Sequence, residues 1–118
     1  MTGSHKETVK KVNAAFAASD IEAFLALCRD DIAWTMVGDR TAKGKDAIRQ
    51  WMGSMMAEPP RVTPHQQIEE GNFVTEIGEM TLKENGKETP YWYSDNYRFA
   101  GDQIAELTSF VVKTKRPH

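Results

Sequence analysis

The residues with the clearest chemical potential form a strand-like run of aromatic side chains around one carboxyl group, residues 91–99. Because side chains alternate along a strand, Asp95 shares a face with Tyr91, Tyr93 and Tyr97. A carboxyl group among aromatic rings is costly to ionise, so it tends to keep its proton. Asp95 is therefore a candidate hydrogen-bond donor or proton carrier. The alternative is a buried carboxyl whose bond to a neighbouring tyrosine or tryptophan is purely structural.

His65 is a second candidate, because His5 and His118 stand near the chain ends and leave it as the only histidine of the expected folded body. An imidazole titrates near physiological pH and could act as an acid or a base. Its place beside Gln66 and Gln67 is equally typical of a surface strand. A metal site needs three or four converging ligands, so one such histidine and one cysteine support it poorly. We expect no metal and no cofactor.

The composition indicates one domain over residues 1–118, with a folded body of about residues 6–113. Lys plus Arg number 15 and Asp plus Glu 17, so no strong field favours nucleic acid or an anionic membrane as a partner. No apolar run reaches membrane-spanning length, and the N-terminus lacks the apolar core of a signal peptide. The only cysteine, Cys28, lies in an apolar segment of a predicted helix, which favours a buried structural thiol. A cytoplasmic location is the simplest expectation.

Hydrophobic periodicity predicts three helices and six strands. The helices are expected at residues 6–18, 21–29 and 45–57, and the strands at 32–37, 41–44, 61–70, 73–84, 88–100 and 104–113. Within the polar strand 61–70, Val62 and Ile68 are the expected apolar contacts. Asn85 and Gly86 give a strong hairpin signal. Helices in the N-terminal half followed by an antiparallel meander predict an α+β domain, with the helices on one side of a mostly antiparallel sheet.

Four segments resemble the SnoaL-like and ketosteroid-isomerase-like members of the nuclear transport factor 2-like superfamily. They are the helix break at 19–21, the junction at 29–32, the helix start at 44–48 and the hairpin ending at 95–104. The resemblance implies a cone-shaped domain with three helices on the concave face of a strongly bent sheet. It also implies an apolar pocket at one end and frequent dimerisation through the sheet. These motifs specify the fold far better than the activity.

Ketosteroid isomerases use a carboxylate base near the first strand, a tyrosine from the first helix and a protonated aspartic acid from the penultimate strand. In the resemblance, the acid corresponds to Asp95, whereas the tyrosine position falls at Val12 and the base near Thr35 or Met36. Neither Thr35 nor Met36 can abstract a proton at neutral pH. The resemblance therefore does not imply a typical ketosteroid isomerase. It leaves an acid in an apolar pocket, which suits ligand binding or other acid–base chemistry.

The same resemblance turns Glu76 toward the pocket as a second carboxyl, which would share a proton with Asp95. The alternative places Glu76 at a solvated rim. The other expected lining residues are mostly aromatic or flexible side chains that suit a flat, apolar molecule. They are Trp34, Met36, Trp51, Met55, Met80, Tyr91, Tyr93, Tyr97 and Val111. Each of them could instead only fill the core.

Two functions remain open at this level. The first is binding of a small hydrophobic or aromatic metabolite, with an isomerase-, cyclase-, dehydratase- or hydrolase-type reaction at Asp95 assisted by Glu76 or His65. The second is a non-catalytic ligand-binding or homodimerisation module of the same fold. Its interface would lie on the outward side of the sheet, at Trp92, Thr108, Phe110 and Val112.

Overall fold

The computed structural model describes residues 4–55 and 60–114, with side chains for all of these except 54 and 55. The described helices are α1 (His5–Ala17), α2 (Ile21–Leu25) and α3 (Lys45–Met55). The described strands are β1 (Cys28–Met36), β2 (Arg40–Lys43), β3 (Arg61–Glu70), β4 (Phe73–Glu84), β5 (Lys87–Ala100) and β6 (Gln103–Lys113). Residues 56 and 57, predicted to end the third helix, lie outside the described residues.

The strands form one sheet in the order β2-β1-β6-β5-β4-β3. Only the β1–β6 pair among them is parallel, and the other four pairings are antiparallel. The predicted α+β class with a mostly antiparallel sheet is therefore confirmed. Because β5 pairs with β4 on one side and with β6 on the other, its aromatic run lies in the interior of the sheet.

The apolar faces of the three helices pack on one side of this sheet. Fully or almost fully buried residues from both layers meet there: Val9, Val12, Phe24, Leu25, Ile32, Trp34, Ile48, Met52, Val74, Tyr97, Phe99, Ile104 and Leu107. Removal of this apolar surface from water is the main favourable term in folding. Asp20 is the N-cap of α2, and its carboxylate accepts a hydrogen bond from the Ala23 backbone N–H at 3.1 Å.

Cys28 corrects one predicted boundary. The second helix was expected to extend to residue 29, yet α2 ends at Leu25 and Cys28 opens β1 opposite Ile104. The Ile104 backbone N–H donates to the Leu27 carbonyl at 3.0 Å, so pairing with β6 outweighs the helix propensity of this segment. The thiol is nonetheless fully buried, and burial raises its pKa to about 12.

A bulge in β3 corrects a second expectation. Pro64 pairs with Gly78 and Gln66 with Ile77, which leaves His65 as an extra residue without an opposite partner. Since side chains alternate, one extra residue reverses the faces of all residues after it. Val62 precedes the bulge and faces the helix side of the sheet, as expected. Ile68 follows the bulge, so it faces the other side and is 50% exposed instead of buried.

Candidate functional site

Asp95 lies opposite Glu76 of β4 on one side and opposite Ser109 of β6 on the other. Directly opposed residues of antiparallel strands place their side chains on the same face, a few ångströms apart. Asp95 is partly exposed and faces a cavity, whereas Glu76 and Ser109 are buried. The sheet register thus brings two carboxyl groups and a hydroxyl group together.

Glu76 is fully buried and accepts three hydrogen bonds. The amide of Asn13 on α1 donates to its Oε1 at 2.8 Å, and the amide of Gln67 on β3 donates to the same oxygen at 2.6 Å. The Tyr93 hydroxyl donates to Oε2 at 2.7 Å. All three partners are donors, and an ionised carboxylate is the form that only accepts. Glu76 is therefore held as an anion by three neutral groups.

A glycine makes room for one of these donors. Gly78 lies opposite Tyr93 in the sheet, and a methyl group on its Cα would come within 2.7 Å of the Tyr93 hydroxyl. The same methyl group would lie 2.5 Å from the Thr63 carbonyl oxygen. The Tyr93 side chain consequently crosses β4 over Gly78 to reach Glu76. This close approach requires glycine for steric reasons, independently of backbone torsion.

Burial raises the pKa of Asp95 from its ordinary value of 3.8 to about 7, and the nearby Glu76 charge acts in the same direction. A hydrogen bond from the Ser109 hydroxyl opposes the rise. That hydroxyl in turn accepts the indole N–H of Trp34 at 3.0 Å. Because the Ser109 oxygen accepts from Trp34, the Ser109 hydroxyl proton is directed toward Asp95. Both protonation states of Asp95 are therefore populated near neutral pH.

Tyr97 lies next to these polar side chains, within the core. Its side chain is fully buried, and its hydroxyl has no hydrogen-bond partner among the described residues. Burial, followed by the charges of Asp95 and Glu76, raises the pKa of Tyr97 well above its ordinary value. The phenol is therefore neutral at any physiological pH.

The cavity in front of Asp95 has a volume of about 70 Å³, counting the space open to the centres of water molecules. That is enough for several waters or for a small organic group. Its described lining comes from both layers of the fold and is mostly apolar. The lining residues are Asn13, Phe16, Trp34, Met36, Met52, Pro60, Val62, Met80, Tyr93, Asp95, Ser109 and Val111.

The structure brings many of the sequence-predicted residues together. Six of them line the cavity: Trp34, Met36, Met80, Tyr93, Asp95 and Val111. Glu76 lies just behind this lining, since Asn13 and Tyr93 both line the cavity and donate to it. Tyr97 is buried in the core beneath them.

Other predicted residues lie elsewhere. His65 is on the opposite face of the sheet, where its Nε2 is 2.6 Å from Glu79 and its ring centroid is 5.4 Å from that of the exposed Trp92. The Tyr91 hydroxyl donates to Glu84 at 2.7 Å in an exposed position. Trp51 packs edge-on against Trp34, with ring centroids 5.0 Å apart, outside the described lining. The side chain of Met55 lies outside the described residues.

Asn13, Gln67 and Ser109 are site residues that the sequence analysis missed. Asn13 and Ser109 could have been recognised from the sequence, because each is a polar residue at a position where the periodicity predicts an apolar, inward-facing side chain. Gln67 could not have been recognised in this way, since it faces Glu76 only because of the bulge at His65. His5 was also passed over, yet its ring stacks on Phe99 at 4.1 Å.

Within the described residues, no cluster of three or more His, Cys, Asp or Glu side chains is arranged to hold a metal ion. No described helix is long and apolar enough to cross a membrane.

The sequence profile of the SnoaL-like domain matches residues 9–107. The chain belongs to the SnoaL-like family. No curated protein matches this SnoaL-like chain. Among solved structures, it is similar to a nuclear transport factor 2-like protein of unknown function from Cytophaga hutchinsonii. The two are 26% identical over 92% of this chain and 100% of that one, with a TM-score of 0.76.

Two further structures show the same fold at lower identity. An LEH-like epoxide hydrolase from M. tuberculosis is 16% identical, with 91% of this chain and 81% of that one covered and a TM-score of 0.81. TerC, co-crystallised with polyporic acid, is 17% identical, with 89% and 88% covered and a TM-score of 0.80. At these identities the likeness establishes the fold alone.

Proposed function

We propose that this SnoaL-like protein binds a small hydrophobic or aromatic molecule in the cavity and exchanges a proton with it through Asp95. The supporting observation is the position of Asp95, an ionisable group on the lining of a mostly apolar cavity. A pKa of about 7 suits a general acid or base at neutral pH. The shared fold of an epoxide hydrolase and of a protein co-crystallised with polyporic acid agrees with small-molecule chemistry.

The residues in and around the cavity have different roles in this proposal. Asp95 donates or accepts the proton in an isomerase-, cyclase-, dehydratase- or hydrolase-type reaction. Glu76 is a positioning residue, because its own oxygens are occupied by three donors and it acts on Asp95 through its charge. Met36, Met80 and Val111 contact the apolar body of the ligand. His65 takes no part, since it lies on the other face of the sheet.

The test is a panel of enones, lactones and epoxides, each incubated with the wild-type protein and analysed for products. At least one compound is expected to be converted, and Asp95→Asn is expected to lower that rate by about a hundredfold or more. Glu79→Gln is the matched control, because it removes a carboxylate on the opposite face of the neighbouring strand β4, and it should retain full activity. Absence of both binding and conversion across the panel, or an Asp95→Asn variant as active as the wild type, would overturn the proposal.

We also propose that the outward face of the sheet forms a homodimer interface. Three large apolar side chains are exposed together there: Trp92 and Phe110, each 45% exposed, and Val112, 64% exposed. Trp92 and Val112 are directly opposed in the sheet, and Thr108 continues the same face. Such a patch is typical of a protein–protein contact. In sedimentation velocity, the wild type should be dimeric and Phe110→Glu monomeric, whereas Val37→Glu should stay dimeric. A monomeric wild type would refute the interface.

A further inference from the structure

Most of the hydrogen-bond donors around the cavity already donate to protein groups. The Asn13 amide and the Tyr93 hydroxyl donate to Glu76, and the Trp34 indole donates to Ser109. All three groups line the cavity, and of their hydrogens only the second amide N–H of Asn13 lacks a protein acceptor among the described residues. Among the described lining residues, the charged group that remains for a ligand is the carboxyl of Asp95. The Asn13 amide oxygen adds a neutral acceptor beside it. When ionised, Asp95 offers a ligand only acceptor oxygens.

Among the described residues, the charge of Glu76 has no cationic partner. Its three partners, Asn13, Gln67 and Tyr93, are neutral. None of the described residues that line the cavity is Lys, Arg or His. A buried anion whose partners are all neutral produces a negative potential in the cavity beside it, because little solvent screens it. This potential disfavours an anionic ligand, leaves a neutral ligand almost unaffected and attracts a cation.

The geometry points to a ligand that brings the missing positive charge: we propose that the cavity binds a small protonated amine with an aromatic or aliphatic body. The ammonium group donates to the Asp95 carboxylate and lies in the potential of Glu76. The apolar body packs against Trp34 and Phe16, whose stacked rings have centroids 6.0 Å apart. Aromatic faces attract organic cations as well as apolar groups. This inference rests on the proposed function, since it specifies the ligand class of the same cavity.

Binding of an ammonium group replaces the proton that Asp95 otherwise keeps. The ionisable groups that face Asp95 are Glu76 from β4 and the phenols of Tyr93 and Tyr97 on β5, both of which have a raised pKa. The packed elements α1, α3, β1 and β6 contribute groups that do not titrate near neutral pH: the side chains of Asn13, Met52, Trp34 and Ser109. Amine affinity should therefore increase as Asp95 loses its proton.

The test uses three probes with one skeleton and different charge: phenethylamine, phenethyl alcohol and phenylacetate. Dissociation constants are measured from backbone amide shifts in NMR titrations at about pH 6 and about pH 8, where the amine stays protonated. At about pH 8 the amine should bind about tenfold more tightly than the alcohol, because it forms a charge-assisted hydrogen bond. Phenylacetate should bind most weakly of the three.

The pH dependence gives a second readout. The ionised fraction of a group with a pKa of about 7 rises from about a tenth to about nine-tenths between these two pH values, so the amine affinity should rise about tenfold. In Asp95→Asn, the pH dependence should disappear and the preference for the amine should weaken to what the Glu76 charge alone provides. Glu79→Gln, on the opposite face, should retain both. If Asp95→Asn does not fold, the pH dependence of amine affinity in the wild-type protein still tests whether an ionised Asp95 binds the amine.

Two unfavourable outcomes are distinguishable. If the alcohol or phenylacetate binds as tightly as the amine, or if amine affinity does not change with pH, the amine assignment is wrong while binding in the cavity stands. If none of the probes shifts the cavity residues at concentrations up to about 10 mM, the proposed binding function is also wrong.

Discussion

Two glutamates on β4, three residues apart, have opposite environments. Glu76 is fully buried on the helix side of the sheet and accepts hydrogen bonds from three neutral donors. Glu79 is about half exposed on the other side, where it meets the titratable ring of His65 at 2.6 Å. The outward pair has the residue types of a catalytic dyad, yet it lies away from the cavity. Environment, more than residue type, therefore separates a candidate site from an ordinary surface hydrogen bond.

The largest expected effect distinguishes these two glutamates directly. Glu76→Gln should lower the free energy of unfolding by about 3 kcal/mol, because the new amide N–H₂ group meets donors instead of acceptors and leaves buried groups unpaired. Glu79→Gln should cost less than about 1 kcal/mol, since it breaks an exposed pair. Urea denaturation of both variants measures the difference. Equal effects would contradict the assignment of Glu76 as the buried member.

The next effect concerns pH. Because the folded-state pKa of Asp95 is raised from 3.8 to about 7, its stabilising contribution is complete below about pH 4 and is lost as the pH rises through about 7. Asp95→Asn cannot ionise and escapes this loss. Its stability relative to the wild type should therefore improve by about 2–3 kcal/mol between about pH 5 and about pH 8. Urea denaturation at both pH values is the measurement, and a constant difference would count against the raised pKa.

The support of Glu76 by Tyr93 can be tested through Gly78. Gly78→Ala should destabilise the fold by about 2 kcal/mol, because the added methyl group overlaps the Tyr93 hydroxyl and the Thr63 carbonyl oxygen. Gly53→Ala is the control, since its added methyl group meets nothing within 4 Å in the exposed part of α3. That change should be neutral or stabilising by up to about 1 kcal/mol. Thermal unfolding followed by circular dichroism compares the two.

The smallest effect is expected on the outward face. His65→Gln should change stability by less than about 1 kcal/mol, because the bond to Glu79 is exposed. It should also leave the NMR signals of Asp95 and Tyr93 unchanged. Gln67→Ala, two residues along β3, is the matched contrast: loss of its bond to Glu76 should shift those signals and cost about 1–2 kcal/mol. Larger shifts of the Asp95 and Tyr93 NMR signals in His65→Gln than in Gln67→Ala would contradict this prediction.

The sequence was informative wherever a short periodic pattern determined the structure. The alternation around Asp95 predicted its face, and the α+β element order followed from hydrophobic periodicity. The polar residue in the apolar stripe of α1, Asn13, was visible but unexplained until its partner Glu76 was known. The bulge at His65 could not be predicted, because nothing in its local sequence signals an extra residue. That single residue decides that Gln67, and not Gln66, faces Glu76.

We propose that Asp95 exchanges a proton near neutral pH beside the buried anion of Glu76. A titration of the Asp95 side-chain carboxyl carbon by NMR, in protein labelled with ¹³C at aspartate, tests it most directly. We expect a midpoint at a pKa of about 7 in the wild type and a lower one in Glu76→Gln, because the neighbouring charge is removed. A midpoint near the ordinary value of 3.8 in the wild-type protein would contradict it.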